Sequence, residues 1–144
     1  MDYKLVKSEN NDLKKIIDYK KQIIYEFSKN LTKKEINKIN NYVTKEVRDQ
    51  FNNCYSIVVN NKKVGCLLVT EKDDGKLIDE IYLEEEYRNK GIGTNIIKNI
   101  IRDNIVYLWV YKLNIKAIAL YKRLGFKIVN ETETRYYMRY YSIK

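Results

Sequence analysis

Arg88-Asn89-Lys90-Gly91-Ile92-Gly93-Thr94 is the stretch that decides how this chain is read. The sequence has only five glycines in 144 residues, and two of them stand here, one residue apart. Before them runs Leu77–Leu83, apolar and β-branched enough for a strand; after them the spacing predicts a helix from about Gly91 to Asp103. Glycines between a strand and a helix let the backbone turn sharply and bring successive N–H groups within reach of an anion. The unpaired amides and the dipole of the helix start then favour phosphate oxygens. Arg88 and Lys90 add positive charge. Two familiar phosphate loops are excluded: no G-x-x-x-x-G-K-[ST] string exists, and Ile96 stands where a dinucleotide fingerprint needs its third glycine.

Downstream of this turn, Ile105–Tyr111 reads as another apolar strand, so Leu77–Leu83, helix and Ile105–Tyr111 form a βαβ crossover whose strands run parallel. Ala117, Leu120, Tyr121 and Leu124 recur at helical spacing and Gly125 ends that helix. Ile128–Asn130 and Arg135–Tyr141 close the chain as strands. Upstream, Tyr3–Lys7 alternates as a strand, and Leu13, Ile16, Ile17, Ile24 and Phe27 mark a helix from Asp12 to about Lys29. Thr32 with Glu35 reads as a capping box for a second helix, with Ile36, Ile39, Val43 and Val47 on its apolar face, ending near Phe51. Tyr55–Val59, an Asn60-Asn61 turn, Val64–Thr70, a Lys72–Gly75 turn and Leu77–Leu83 make an antiparallel meander. Gly65, inside a strand, signals a bulge or a close backbone approach. No repeat, linker or low-complexity segment interrupts residues 1–144, which are expected to form one domain.

Composition narrows the classes further. With 44% apolar and 33% charged residues the chain has the make-up of a globular domain, and no apolar run approaches the ~20 residues of a membrane span. The N-terminal MDYKLVKSEN lacks the apolar core of a secretory signal, so the cytoplasm is the expected location. Histidine is absent, and Cys54 and Cys66 form no C-x-x-C, so no metal site is expected and both thiols read as reduced packing residues. A net charge of +9 suggests nucleic acid at first sight. The positive residues are scattered through helices rather than gathered into a tract, however, and abundant Lys, Asn, Ile and Tyr without Pro is what an AT-rich coding bias produces.

A second segment turns the glycine loop into a specific pattern. Asn114-Ile115-Lys116-Ala117-Ile118-Ala119-Leu120-Tyr121-Lys122-Arg123-Leu124-Gly125-Phe126 follows the next strand. Together with Arg88–Gly93, which has the form [Q/R]-x-x-G-x-[G/A], it resembles the cofactor-binding segments of the GNAT superfamily of N-acetyltransferases, where N-x-x-A-x-x-x-Y-x-x-x-G-F stands in the same order and spacing. The resemblance covers roughly residues 77–126. It implies an α/β (α+β) fold: a mixed, mostly antiparallel sheet of six or seven strands with a parallel pair around the cofactor loop, flanked by about four helices. It also implies acetyl-CoA as co-substrate and a primary amine as acceptor, attacked directly in a ternary complex.

By the same resemblance, the backbone of Ile81, Tyr82 and Leu83 pairs with the pantetheine arm. The main chain of Arg88, Asn89, Lys90, Gly91, Ile92, Gly93 and Thr94 holds the diphosphate, Asn114 contacts the pantetheine region, and Tyr121 protonates the departing thiolate. An amine of pKa ~10.4 must lose a proton first, which calls for a base. Some relatives carry a glutamate near the end of the strand after the loop helix, but Leu108-Trp109-Val110-Tyr111 has no acid. Glu80 is the preferred base, because the bulge that this strand carries in the family it resembles spoils simple alternation; Asp79, a tyrosine-bound water chain or no specific base are the alternatives. Asp79, Glu80, Glu84, Glu85 and Glu86 place five acids near the expected acceptor side, which suits a cationic amine or is a solvated loop. Two other functions stay open at this point: a CoA-binding module without catalysis, and a basic nucleic-acid-binding domain. A monomer and a homodimer are equally compatible, and the tyrosines Tyr136, Tyr137, Tyr140 and Tyr141 read as core or as a dimer edge.

Overall fold

A computed structural model of the chain describes residues 1–141; the last three positions of the expected domain range, 142–144, lie outside the described residues. The chain forms β1 (Lys4–Lys7), α1 (Leu13–Glu26), α2 (Lys33–Asp49), β2 (Cys54–Val59), β3 (Lys62–Lys72), β4 (Gly75–Leu83), α3 (Ile92–Ile101), β5 (Val106–Tyr111), α4 (Ile115–Leu124), β6 (Lys127–Glu131) and β7 (Arg135–Tyr140). The strands make one sheet in the order β1-β2-β3-β4-β5-β7-β6. Every pairing is antiparallel except β4 with β5. The expected architecture is therefore present, with seven strands and four α-helices among the described residues.

Local chemistry explains the boundaries. Thr32 Oγ1 accepts from the Glu35 amide at 3.1 Å, while Glu35 Oε1 accepts from the Thr32 amide at 3.1 Å, so the capping box starts α2 as read. Asn60 and Asn61 both adopt positive φ (50° and 64°), the conformation of a two-residue hairpin turn whose twist matches the flanking strands. Gly125, at φ 106°, ends α4 in the left-handed region.

Two apolar clusters cover the two faces of the sheet. On one, Ile92, Ile96, Ile97 and Ile101 of α3 pack on Ile57, Leu67, Ile78, Leu108 and Met138. On the other, Ile16, Ile17 and Tyr19 of α1 and Val43 and Val47 of α2 pack on Cys54, Cys66 and Leu68. Both cysteines are free and buried.

Strict alternation would keep Val64 and Cys66 on one face, yet they belong to opposite clusters. The β2–β3 register shifts between Ile57 and Val58, and the extra residue flips the strand. A second bulge sits in β4. Leu68 pairs with Glu80 and Val69 with Ile78, so Asp79 is left over. Ile78 consequently faces α3, whereas Tyr82 packs against the α1/α2 cluster and Ile81 and Leu83 against the α3 cluster. Glu80, two residues before Tyr82, is turned to the α1/α2 side. Without the bulge it would follow Ile78 into the α3 core.

The β4–β5 pairing is short. It joins Lys76, Ile78 and the residue between them to Val106–Leu108, and there it stops. Among the described residues, the β5-facing edge of β4 from Asp79 to Leu83 has no strand partner, because residues 109–111 of β5 pair only with β7 on their other side. The sheet splits into a V at this point. The C-terminal strand is not an edge: β7 lies between β5 and β6, Tyr136 and Tyr140 pack on the α3 core, and the exposed β6 ends the sheet.

Gly65 explains itself in this frame. A Cβ built there falls 2.1 Å from the Tyr82 carbonyl oxygen, so β3 could not stay paired with β4. Gly91, at φ 85°, has nothing within 4 Å of a Cβ. We expect Gly65→Ala to lose about 2–4 kcal/mol in urea denaturation and Gly91→Ala about 1–2 kcal/mol from backbone conformation alone. Equal losses would contradict the close-approach explanation.

Candidate active site

A cavity of about 290 Å³ opens where β4 and β5 part. Residues Leu77–Ile81 of β4 and Leu108–Tyr111 of β5 form its two sides. Asn114 and Tyr121 of the α4 segment close it from one face, and Lys20 of α1 with Tyr42 and Glu46 of α2 close it from the other; Arg135 at the start of β7 completes it. Residues from both faces line one space, so the gap passes through the sheet. Of the residues expected from sequence, this space holds Glu80, Asp79, Ile81, Asn114 and Tyr121.

Burial governs the ionisation here. Desolvation pushes the Glu80 carboxyl up to about 8; the charges of Glu46 and Asp79 add to this, while Lys20 and the Ile81 amide oppose it. Asp79 is also raised, chiefly by burial, although its Oδ2 accepts from Thr70 Oγ1 at 2.7 Å. The Tyr121 phenol is pushed up to about 12, first by burial and then by the Glu80 charge. Tyr121 leans on Phe126, with ring centroids 5.8 Å apart. Asn114 caps α4 through Oδ1, which accepts from the Ala117 amide at 3.3 Å.

The glycine turn lies at the far end of the unpaired β4 edge. Asn89 (φ 60°) and Gly91 (φ 85°) are both left-handed, and Gly91 is the N-cap of α3 without any side-chain cap. The first intrahelical bond of that turn runs from Asn95 N–H to Gly91 O, which leaves the amides of Ile92, Gly93 and Thr94 without helical acceptors. A Cβ at Gly93 would meet only Leu83 Cδ1, at 3.9 Å. At these two glycines, then, only the Leu83 side chain comes near the turn. A hollow of about 600 Å³ beside it is bordered by Tyr3, Lys90, Gly91 and Asn95.

Arg88 is engaged differently from a simple phosphate clamp. Its Nε donates to the Leu83 carbonyl at 2.7 Å and its guanidinium lies over the Tyr82 ring, 5.1 Å from the centroid. It ties the loop back to the end of β4. The Tyr82 side chain stacks on Tyr19 with centroids 4.5 Å apart, so only its backbone lies on the open edge.

The five-acid run divides. Glu84 accepts from the Tyr19 hydroxyl and pairs with Lys15 at 3.2 Å, and Glu85 and Glu86 lie in a short 3-10 turn; none of the three lines the cavity. Glu46 takes their place. It forms an ion pair with Lys20, which is only 8% exposed, and a hydrogen bond from Tyr42 that, with burial second, pushes that phenol up to about 12. Sequence reading missed Lys20, Tyr42, Glu46 and Arg135. A faint signal existed for two: Lys20 interrupts the apolar stripe between Ile16 and Ile24, and Glu46 sits between Val43 and Val47. Arg135 carries none.

Among the described residues there is no group of three or more His, Cys, Asp or Glu placed to hold a metal, and no helix long and apolar enough to cross a membrane.

Residues 50–128 match the family described as Acetyltransferase (GNAT) domain, more than half of the sequence, and the chain belongs to that family. It is 39% identical over 82 residues to an uncharacterized N-acetyltransferase of Methanocaldococcus jannaschii, covering 48% of this chain and 36% of that protein. It is 32% identical over 63 residues to the spermine/spermidine N(1)-acetyltransferase of Bacillus subtilis, covering 39% of this chain and 41% of that one. The matches thus span well under half the length of these relatives. The fold is similar to that of the PaiA N-acetyltransferase of Thermoplasma acidophilum, solved with coenzyme A, with a TM-score of 0.77 at 15% identity over 97% of this chain and 99% of that chain.

A raised carboxyl has a consequence for stability. The folded protein binds the Glu80 proton up to about pH 8, whereas an unfolded glutamate releases it near 4.5, so this group lowers stability as pH rises between those values. Glu80→Gln removes the loss. In urea denaturation the variant should gain on the wild type from pH 5 to pH 8, by up to roughly 1.4 kcal/mol per unit, and level off above that. A constant difference across the range would place Glu80 in water instead.

Proposed function

We propose that the chain transfers an acetyl group from acetyl-CoA to a primary amine by direct attack within the split of the sheet. The observation that carries this reading is the unpaired edge of β4. It runs from Asp79 to Leu83, lines at Asp79, Glu80 and Ile81 the cavity that Tyr121 also borders, and leads on to the open helix-start amides. Acetyl-CoA is a chain of amides with a diphosphate at one end and a thioester at the other. The edge at Ile81, Tyr82 and Leu83 suits the pantetheine amides, and the amides around Gly91–Thr94, with Lys90 nearby, suit the diphosphate. The side chain of Asn114 borders the same path.

The acceptor amine reaches the thioester carbon from the α1/α2 side. Glu80, as carboxylate, takes the proton that the ammonium must lose, directly or through water. The new C–N bond forms as the carbonyl oxygen gains charge, which a backbone N–H of β4 stabilises. The C–S bond then breaks, Tyr121 donates its proton to the sulfur, and the second proton lost by the attacking nitrogen restores the tyrosinate, directly or through water. A phenol held at about 12 is a reluctant donor to a thiolate of ordinary pKa about 8.5. Part of that reluctance comes from the Glu80 charge, however. Once Glu80 has accepted a proton, that part disappears, and Tyr121 becomes a stronger acid at the step that needs it.

The test is release of free CoA across a panel of amines. Tyr121→Phe should lower kcat by about 10²–10⁴-fold with little change in KM for acetyl-CoA. Turnover equal to wild type would remove Tyr121 as the acid. The pH profile supplies a second measurement. Wild-type kcat/KM should rise to a plateau with a midpoint near 8, and Glu80→Gln should lose that limb along with most of the rate. A chain that only senses CoA would bind acetyl-CoA and release none of it as free CoA with any amine.

A further inference from the structure

The cavity contains more than the acyl-transfer groups, and its cations are not alike. Lys20 is buried and paired with Glu46, which also accepts from Tyr42, so these three satisfy one another. Asp79 is held by Thr70. Arg135 has no such partner. Among the described residues it makes no ion pair, although it borders the same cavity, half-buried.

Its position is well determined nonetheless. Arg135 is the first residue of β7, opposite Tyr111 in register, and its amide donates to Thr132 Oγ1 at 3.0 Å. The guanidinium carbon lies 4.7 Å from the centroid of Trp109 and 6.0 Å from that of Tyr111. Aromatic contacts of this kind orient a guanidinium without supplying an acceptor for its five N–H donors. A fixed planar fork with unfilled donors, at the wall of a small cavity, is suited to a carboxylate taken in a bidentate manner.

We propose that Arg135 receives a carboxylate of the acceptor, so that the amine handled here belongs to an amino acid or short peptide and not to a polyamine. This deepens the acceptor side of the function proposed above and rests on it. The amine end lies toward Glu80 and the carboxylate end toward the aromatic wall of Trp109 and Tyr111. A polyamine would instead bring a second ammonium to Arg135, where like charges repel, while of the cavity's other carboxylates Glu46 is already neutralised by Lys20 and Asp79 is held by Thr70.

Matched ligands test this without turnover. Calorimetry in the presence of CoA compares phenylalanine with phenethylamine, lysine with cadaverine, a dipeptide with its C-terminal amide, and spermidine. In the wild type at least one carboxylate-bearing member should bind about tenfold or more tightly than its partner, and the pair that shows it separates free amino acid from peptide. Arg135→Gln should bring that pair within about twofold, and Arg135→Lys, which keeps the charge but loses the fork, should fall between. Equal affinities within every pair, tighter binding of spermidine, or a preference that survives Arg135→Gln would overturn the assignment. Free-CoA release is read in parallel. Transfer without carboxylate preference sinks this inference alone, whereas carboxylate preference without transfer sinks the acyltransferase reading.

Discussion

Two parallel strands that stop pairing after three residues leave a row of backbone amides and carbonyls that must find other partners. In this chain the row belongs to β4, from Asp79 to Leu83, and everything at the candidate site is arranged around it. The bulge at Asp79 reverses the facing of the residues that follow, so that Glu80 enters the gap and not the isoleucine core of α3. Gly65 lets β3 approach the Tyr82 carbonyl closely enough to hold the split strand from its other side. Arg88 then ties the glycine turn to the last carbonyl of β4. Backbone geometry, more than any one side chain, makes the site.

Charge inside the gap follows from that geometry. Three carboxylates, Glu46, Asp79 and Glu80, face a space of about 290 Å³, and each is stabilised differently. Glu46 has a buried lysine and Asp79 has a threonine hydroxyl. Glu80 has little beyond one backbone amide and a shared lysine, so it keeps its proton to about pH 8. Under the proposed function the least compensated of the three is the one asked to exchange a proton, which is where a base tuned near neutrality is expected.

The fold was legible in sequence because its signals are local. Thr32 and Glu35 mark a helix start, Asn60-Asn61 a hairpin and Gly125 a helix end, and each does in the structure what its chemistry suggested. The order of strands around Gly91 and Gly93 followed from the crossover. The preference for Glu80 depended on a bulge that alternation alone could not locate, and the register of β3 against β4 supplied its position. The other half of the cavity was illegible. Lys20, Tyr42, Glu46 and Arg135 come from three elements remote in sequence, and only the packing of α1 and α2 across the split brings them together. Of the two readings of the acidic run, the solvated loop holds for Glu84, Glu85 and Glu86: they are close to Glu80 in sequence, but the chain turns away after Leu83. Tyr136, Tyr137 and Tyr140 lie on an interior strand because β6 folds back outside β7, whereas Tyr141 is exposed beyond its end.

Ile92 stands between the two glycines of the turn and is 1% exposed, the first of four isoleucines that fasten α3 to the sheet. A loop rich in glycine is usually pliant, and gripping a ligand then costs it conformational entropy. Here the residue flanked by glycines is anchored in the buried core, so under the proposed function its neighbours' amides are already held in place before any anion arrives. The freezing of that loop belongs to folding and not to capture.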